Sequence, residues 1–165
     1  MIRPLACLLL AAVVLGGAAA DARESLGLYG GWGAFRDPLV PRCYAIAMAE
    51  PNARARDYQP YVAIGTWPRR SSRSQVHFRL SRRLASGRPV TLRIADRRIV
   101  LTAGEADAWP RNDTDNAAIV AAMRSARTMT VSARDARGRT FADSWALPGA
   151  ASAMDAALIA CARLR

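Results

Sequence analysis

Pro89-Val90-Thr91-Leu92-Arg93-Ile94-Ala95-Asp96-Arg97-Arg98-Ile99-Val100-Leu101-Thr102 is the stretch that decides the fold class. Val90, Leu92 and Ile94 alternate with polar neighbours, the period of a strand with one wet face and one core face. A second β-rich run over 98–102 follows at once, with only Asp96-Arg97 between them. That spacing predicts a tight hairpin, although Arg97 suits poorly the positive φ that such turns demand. Runs of the same kind recur outward in both directions, broken by turn residues. They cover 42–47 (RCYAIA), 61–67 (YVAIGTW) and 75–80 (QVHFRL) upstream, then 128–133 and 140–147 downstream. The last two are joined through Asp135-Ala136-Arg137-Gly138.

Two stretches change period. Residues 114–126 follow a capping run, Asp113-Thr114-Asp115, and place Ile119, Val120 and Met123 on one face. Residues 150–163 follow Pro148-Gly149 and align Met154, Leu158 and Cys161. The expectation is a mostly β chain: an antiparallel, β-sandwich-like single domain over 29–165 with two short helices, one C-terminal. Trp32, Phe35, Tyr44, Trp109 and Trp145 are expected as core or core-rim packing rather than ligand platforms.

The N-terminus reads differently. Arg3 precedes an uninterrupted apolar run that ends in Gly16-Gly17-Ala18-Ala19-Ala20. A lone cation, a short apolar core and small residues before the cut make the layout of a cleavable export signal over 1–20. The run is short for a membrane span, which needs about 20 apolar residues. Residues 21–28 are polar and expected to be loose. The predicted location is the periplasm, or the extracellular or outer-membrane surface.

All 24 basic residues are Arg, against 13 acids. Ten of them lie between Arg69 and Arg98, where Asp96 is the one acid. Arg69, Arg70, Arg73, Arg82, Arg83, Arg97 and Arg98 are the candidate binding residues for an anionic partner, either an envelope component or an acidic protein. The physical reason is a field of one sign carried on guanidinium forks that match phosphate and carboxylate. The connections of a simple meander alternate between sheet ends, however, which would set Arg82-Arg83 apart from the others. Peripheral attachment to a membrane is compatible with this charge. Nucleic acid is disfavoured, because the aromatics do not interleave with the arginines as stacking recognition requires.

Of Cys7, Cys43 and Cys161, the first leaves with the signal. One pair then remains in an oxidising compartment, where pairing is the rule. The 150–163 helix would turn Cys161 toward the sheet that carries Cys43, so a Cys43–Cys161 disulfide is expected. Closing so long a loop stabilises by about 4–5 kcal/mol in the chain-entropy model.

Catalytic patterns are scarce. His77 is the one histidine, placed by alternation on the polar face of its strand beside Arg73 and Arg79. Glu105 and Asp107 near Trp109 could mimic an acid/base pair but read better as a solvated loop. Ser144 lacks the G-x-S-x-G turn that exposes a nucleophile. Neither a phosphate loop nor a metal-ligand cluster is present, so no catalytic residue, metal or cofactor is assigned.

Several motifs in order carry a family resemblance. They are Trp32-Gly33-Ala34-Phe35, Cys43-Tyr44-Ala45-Ile46-Ala47, Ala108-Trp109, the run Ile119 to Ser125 (IVAAMRS), Thr128-Met129-Thr130-Val131, Ser144-Trp145-Ala146-Leu147-Pro148-Gly149, Ala156-Ala157 and Ala160-Cys161. At this spacing the chain resembles the invasion-associated locus B family of exported bacterial proteins. The resemblance implies a β-sandwich-like domain in the periplasm or at the outer membrane of a Gram-negative bacterium, and it maps no catalytic residue. The sequence departs from the family pattern in its Asp96-Arg97 turn and its all-arginine basic set. The reading that results is a non-enzymatic envelope-associated protein with an anionic partner. Competing readings are a structural or chaperone-like envelope protein without a specific ligand, and a hydrolase whose site would gather His77, Glu105 and Asp107 in one cleft.

Overall fold

The computed structural model describes residues 23–162, apart from 53–55 and 71. The export signal expected at 1–20 lies outside the described residues. A first meander runs through β1 (Glu24–Tyr29), β2 (Trp32–Asp37), β3 (Arg42–Met48), β4 (Tyr61–Trp67) and β5 (Ser72–Arg79). A second comprises β6 (Val90–Ile94), β7 (Arg97–Gly104) and β8 (Asp107–Pro110), laid down so that its last strand, β8, pairs with β5. Helix α1 (Asp113–Met123) carries the chain back to β9 (Thr128–Arg134), which pairs with β6. The edge strand β10 (Thr140–Ala146) and the C-terminal helix α2 (Ala150–Ala162) complete the order. All neighbours are antiparallel, in the spatial order β1-β2-β3-β4-β5-β8-β7-β6-β9-β10.

This single sheet folds over on itself without closing. The rings of Phe78 on β5 and Trp145 on β10 meet with centroids 5.6 Å apart. The indole N–H of Trp32 donates to the carbonyl of Ala146 at 2.9 Å, and the N–H of Glu50 donates to that of Ser144 at 2.8 Å. The core between the layers follows the alternation read from sequence: Val76, Phe78 and Leu80, then Val90, Leu92 and Ile94, all point inward and are buried. Each such side chain contributes about 1.5–3 kcal/mol relative to leaving it in water.

Helix α2 packs on β1 to β4 through a buried stripe of Ala150, Ala153, Met154, Ala157 and Cys161, whose small side chains allow close approach. Its entry is sterically fixed. Gly149 has φ +94, and a Cβ there would fall 1.9 Å from the carbonyl oxygen of Tyr29. Cys161 is bonded to Cys43 of β3, with Cα atoms 5.7 Å apart.

Several sequence expectations need correction. The segment expected to be loose over 21–28 is instead strand β1 from Glu24 onward, held by pairing with β2 and by Leu26 and Tyr29 against the core. Its polar residues hid it because it is an edge strand with a bulge between Ser25 and Gly27. The hairpin turn is Ala95-Asp96, one residue earlier than expected, since Ile94 pairs with Arg97. Ala95 takes the positive φ, +50, so Arg97 never has to. Helix α1 stops at Met123, and its cap is Asn112, whose side chain accepts from the N–H of Asp115. Leu158 is exposed; Ala157 takes its place on the buried face of α2.

Candidate functional site

Strand β4 is central, and its outward residues run Tyr61, Ala63, Gly65, Trp67: large, small, small, large. Register sets Ile46 and His77 on either side of Ala63, and Tyr44 and Gln75 on either side of Gly65. The two small residues leave a hollow between aromatic walls, an open cleft of about 540 Å³ on the outer face of β3, β4, β5 and β8. Trp67 folds back along its strand so that its indole lies over Gly65. A Cβ at position 65 would come within 2.5 Å of that ring, which is why glycine is needed there. Trp109 from β8, Arg42 from β3 and Arg23 complete the lining.

His77 is fixed from three sides. Its Nε2 meets Asp107 Oδ1 at 2.9 Å, and since a carboxylate oxygen can only accept, Nε2 carries the proton. Its ring stacks on Trp109 at 5.3 Å and meets the edge of Tyr61 at 5.7 Å. Asp107 in turn accepts from Arg79 Nη1 at 2.7 Å, and the guanidinium of Arg79 lies 4.3 Å over the ring of Tyr58. On the other wall, Arg42 lies 4.9 Å over Tyr44, which itself stacks on Phe35.

The chemical reading of this group changes in part. Asp107 is a half-buried strand residue paired with His77, not part of a solvated loop. Glu105 does stay on a turn, exposed, with φ +51 and a salt bridge to Arg83 at 3.1 Å. The cleft therefore takes His77 into its lining, with Asp107 behind it as the partner of its Nε2, and leaves Glu105 out. Its lining has no serine, threonine or cysteine among the described residues. Ser144 is engaged elsewhere, 2.9 Å from the hydroxyl of Thr130. Among the described residues no group of three or more His, Cys, Asp or Glu could hold a metal. Trp109, expected as core or core-rim packing, is half-buried on the outer face with Trp67; Trp32 and Trp145 are the indoles that are fully buried.

The candidate arginines divide between the two ends of the sheet. Arg69 and Arg70 lie in the short turn Pro68–Arg70 between β4 and β5, with Arg73 at the start of β5. Because β5, β8 and β7 are successively antiparallel, Arg97 and Arg98 at the start of β7 lie at the same end. Arg82 and Arg83 follow β5 at the opposite end. There Arg82 pairs with buried Asp135 at 3.2 Å, and Arg83 with Glu105. The seven arginines do not form one face.

Sequence comparison finds no match to a protein-family model or to a curated protein. A solved structure does match: the crystal structure of invasion associated protein B from Bartonella henselae, with a TM-score of 0.55, covering 82% of this chain and 96% of that one. The fold is that of invasion associated protein B. Sequence identity is 16%, so the likeness concerns the fold. It agrees with the motifs that carry the sequence resemblance to the invasion-associated locus B family. Those motifs map mainly to the interior that this fold needs. Trp32, Cys43, Ile119, Met123, Met129, Val131, Trp145 and Cys161 are all buried. Most of the cleft and all seven candidate arginines fall outside them, so the likeness to invasion associated protein B explains the scaffold and leaves the outer surface to be read from its own chemistry.

Proposed function

We propose that the protein is a non-enzymatic, extracytoplasmic component of a bacterial cell envelope that holds an anionic partner at one end of its sheet. The observation that carries this reading is the convergence of Arg69, Arg73, Arg97 and Arg98 at that end, none of them in an ion pair among the described residues. Arg93 adds to them, standing directly opposite Arg98 across the β6–β7 ladder. Two exposed like charges in register cost stability, and an anion held between them would remove that cost. The β2–β3 turn reaches the same end and presents Leu39 and Val40, 71% and 51% exposed, between Pro38 and Pro41. Apolar tips beside guanidinium groups suit a surface of anionic headgroups, where the arginines meet charge and the tip meets acyl chain. The Cys43–Cys161 bond fits an oxidising compartment, and among the described residues no helix is long and apolar enough to cross a membrane.

The test is retention of the secreted form on anionic vesicles and on a soluble polyanion matrix, with Arg69, Arg73, Arg97 and Arg98 reversed to Glu. Retention should fall steeply with salt and vanish in the variant. Equal retention by parent and variant at low salt would reduce the arginine richness to composition and favour a structural role without a ligand.

A further inference from the structure

We infer that the cleft on the outer face of β3, β4, β5 and β8 binds a saccharide ring. The inference is independent of the arginine-rich end. Its size, about 540 Å³, falls within the range of roughly 300–1,000 Å³ typical of small-molecule sites. Its walls are the rings of Tyr61, Trp67 and Trp109, and its floor is the methyl group of Ala63. Rings of this kind offer flat apolar faces, while phenol, imidazole, amide and guanidinium tips from Tyr44, His77, Gln75 and Arg42 stand around them. A pyranose matches that pattern: one face of C–H bonds to lie on a ring, and a perimeter of hydroxyls for the tips.

Other occupants fit less well. β4 is paired along its length with β3 and β5, and the stretch of β5 beyond the reach of β8 is closed at Ser74 and Val76 by Asn116, so a peptide does not add to this face as a strand, and recognition must come from side chains. The cleft is open to water, which suits a polar ring better than a lipid chain needing enclosure. Its cations are not free point charges either, since Arg42 is shared with Asp37 at 3.5 Å and lies over Tyr44. What Arg42 does offer is a guanidinium edge on the cleft wall, from which N–H groups can meet a ligand hydroxyl or carboxylate. His77 is similarly prepared. With Nε2 given to Asp107, Nδ1 is the ring nitrogen left to meet a sugar hydroxyl, and Trp109, Tyr61 and the Arg79–Asp107 pair hold the ring in place before any ligand arrives.

The experiment is a glycan array of neutral and acidic bacterial and host oligosaccharides, probed with the parent, Ala63→Leu, Trp67→Ala and an Arg69→Glu/Arg73→Glu double variant. Circular dichroism and a thiol count would verify that each variant is folded and disulfide-closed. Ala63→Leu fills the hollow from an outward position and should abolish retention. Trp67→Ala should weaken it at least tenfold, and should read out the proposal alone if Ala63→Leu misfolds. The double variant should bind neutral glycans as the parent does. No glycan retained by the parent, or retention indifferent to both cleft substitutions, overturns the proposal. Retention lost only in the arginine double variant overturns it as well, and assigns the glycan to the arginine-rich end.

Discussion

Asn116 of α1 closes the edge of β5 at Val76. Its side-chain Oδ1 accepts from the N–H of Val76 at 2.9 Å, and its Nδ2 donates to the carbonyl of Ser74 at 3.1 Å. Strand β8 is too short to do this, since it pairs with β5 only at Phe78 and Arg79. A single amide therefore imitates the strand that is missing, and it docks the helix in doing so.

Asn116→Ala should accordingly cost about 1–3 kcal/mol, the range for leaving a buried backbone donor unpaired. Val76 is fully buried, so its N–H has poor access to water as a substitute. Asn116→Asp keeps the acceptor for Val76 and loses the donor to Ser74, and should fall between parent and Ala. Urea unfolding of the oxidised protein measures all three. A shift of less than about 0.5 kcal/mol for the Ala variant would show that the amide is dispensable.

The Cys43–Cys161 bond spans 118 residues and ties α2 to β3. Without reductant the chain from residue 21 onward should expose no alkylatable thiol. Replacing Cys161 with Ser should lower stability by about 2–5 kcal/mol. Ala150, Ala153, Met154 and Ala157 still bury one face of α2, so the variant should lose cooperativity at the helix before it loses the sheet. Hydrogen exchange resolves that order; equal protection of α2 in both proteins would contradict it.

How much of this was legible in the sequence depends on whether partners are close along the chain. The β6–β7 hairpin could be read because Val90, Leu92 and Ile94 alternate and their partners lie a few residues on. Strand β8 could not, because four residues, one of them charged and one a proline, give no period. The cleft was lost with it. Trp109 reaches His77 only because β8 turns back onto β5, and that adjacency is not sequential. One signal was available. With Val62 and Ile64 facing inward, Tyr61 and Trp67 must face outward, and two outward aromatics flanking Ala63 and Gly65 mark a hollow. Reading Trp109 as core or core-rim packing treated all large aromatics alike, whereas alternation could have sorted the Tyr61–Trp67 strand.

Acid should destabilise the protein through two carboxylates. Burial alone would raise the Asp135 carboxyl, but the N–H groups of Arg139 and Arg137 and the Arg139 guanidinium outweigh it and hold the group below its ordinary value. Asp155 is likewise lowered, by the paired hydrogen bonds and charge of Arg124, which link the end of α1 to α2. A lowered folded value means that the stabilisation is complete above the unfolded carboxylate range, near pH 3.9, and is lost as pH falls through it toward the folded value. The melting temperature should therefore be flat from neutrality to about pH 5 and drop below pH 4. Asp135→Asn should be less stable at pH 7 and show a shallower acid drop. An acid profile identical to that of the parent would remove Asp135 from the account.

The pair Arg93 and Arg98 allows stability and binding to be separated. They face each other in register on β6 and β7, both exposed, and no carboxylate among the described residues pairs with either. Directly opposed like charges destabilise a ladder by about 0.2–1 kcal/mol. If these arginines serve only as surface, Arg98→Gln should raise the melting temperature at low salt and change nothing else. If they hold an anion, the same substitution should raise stability and weaken retention on anionic vesicles together. Salt distinguishes the electrostatic part, because at about 1 M the Debye length is near 3 Å and the repulsion is screened. The stability gain of Arg98→Gln should then disappear. Adding the polyanion to the parent should mimic the substitution by raising its melting temperature, and it should do so less for the variant. A variant that is destabilised at low salt, or one that is retained as strongly as the parent, would mean that the opposed guanidinium groups neither repel each other appreciably nor share a ligand, and would remove this pair from the proposed site.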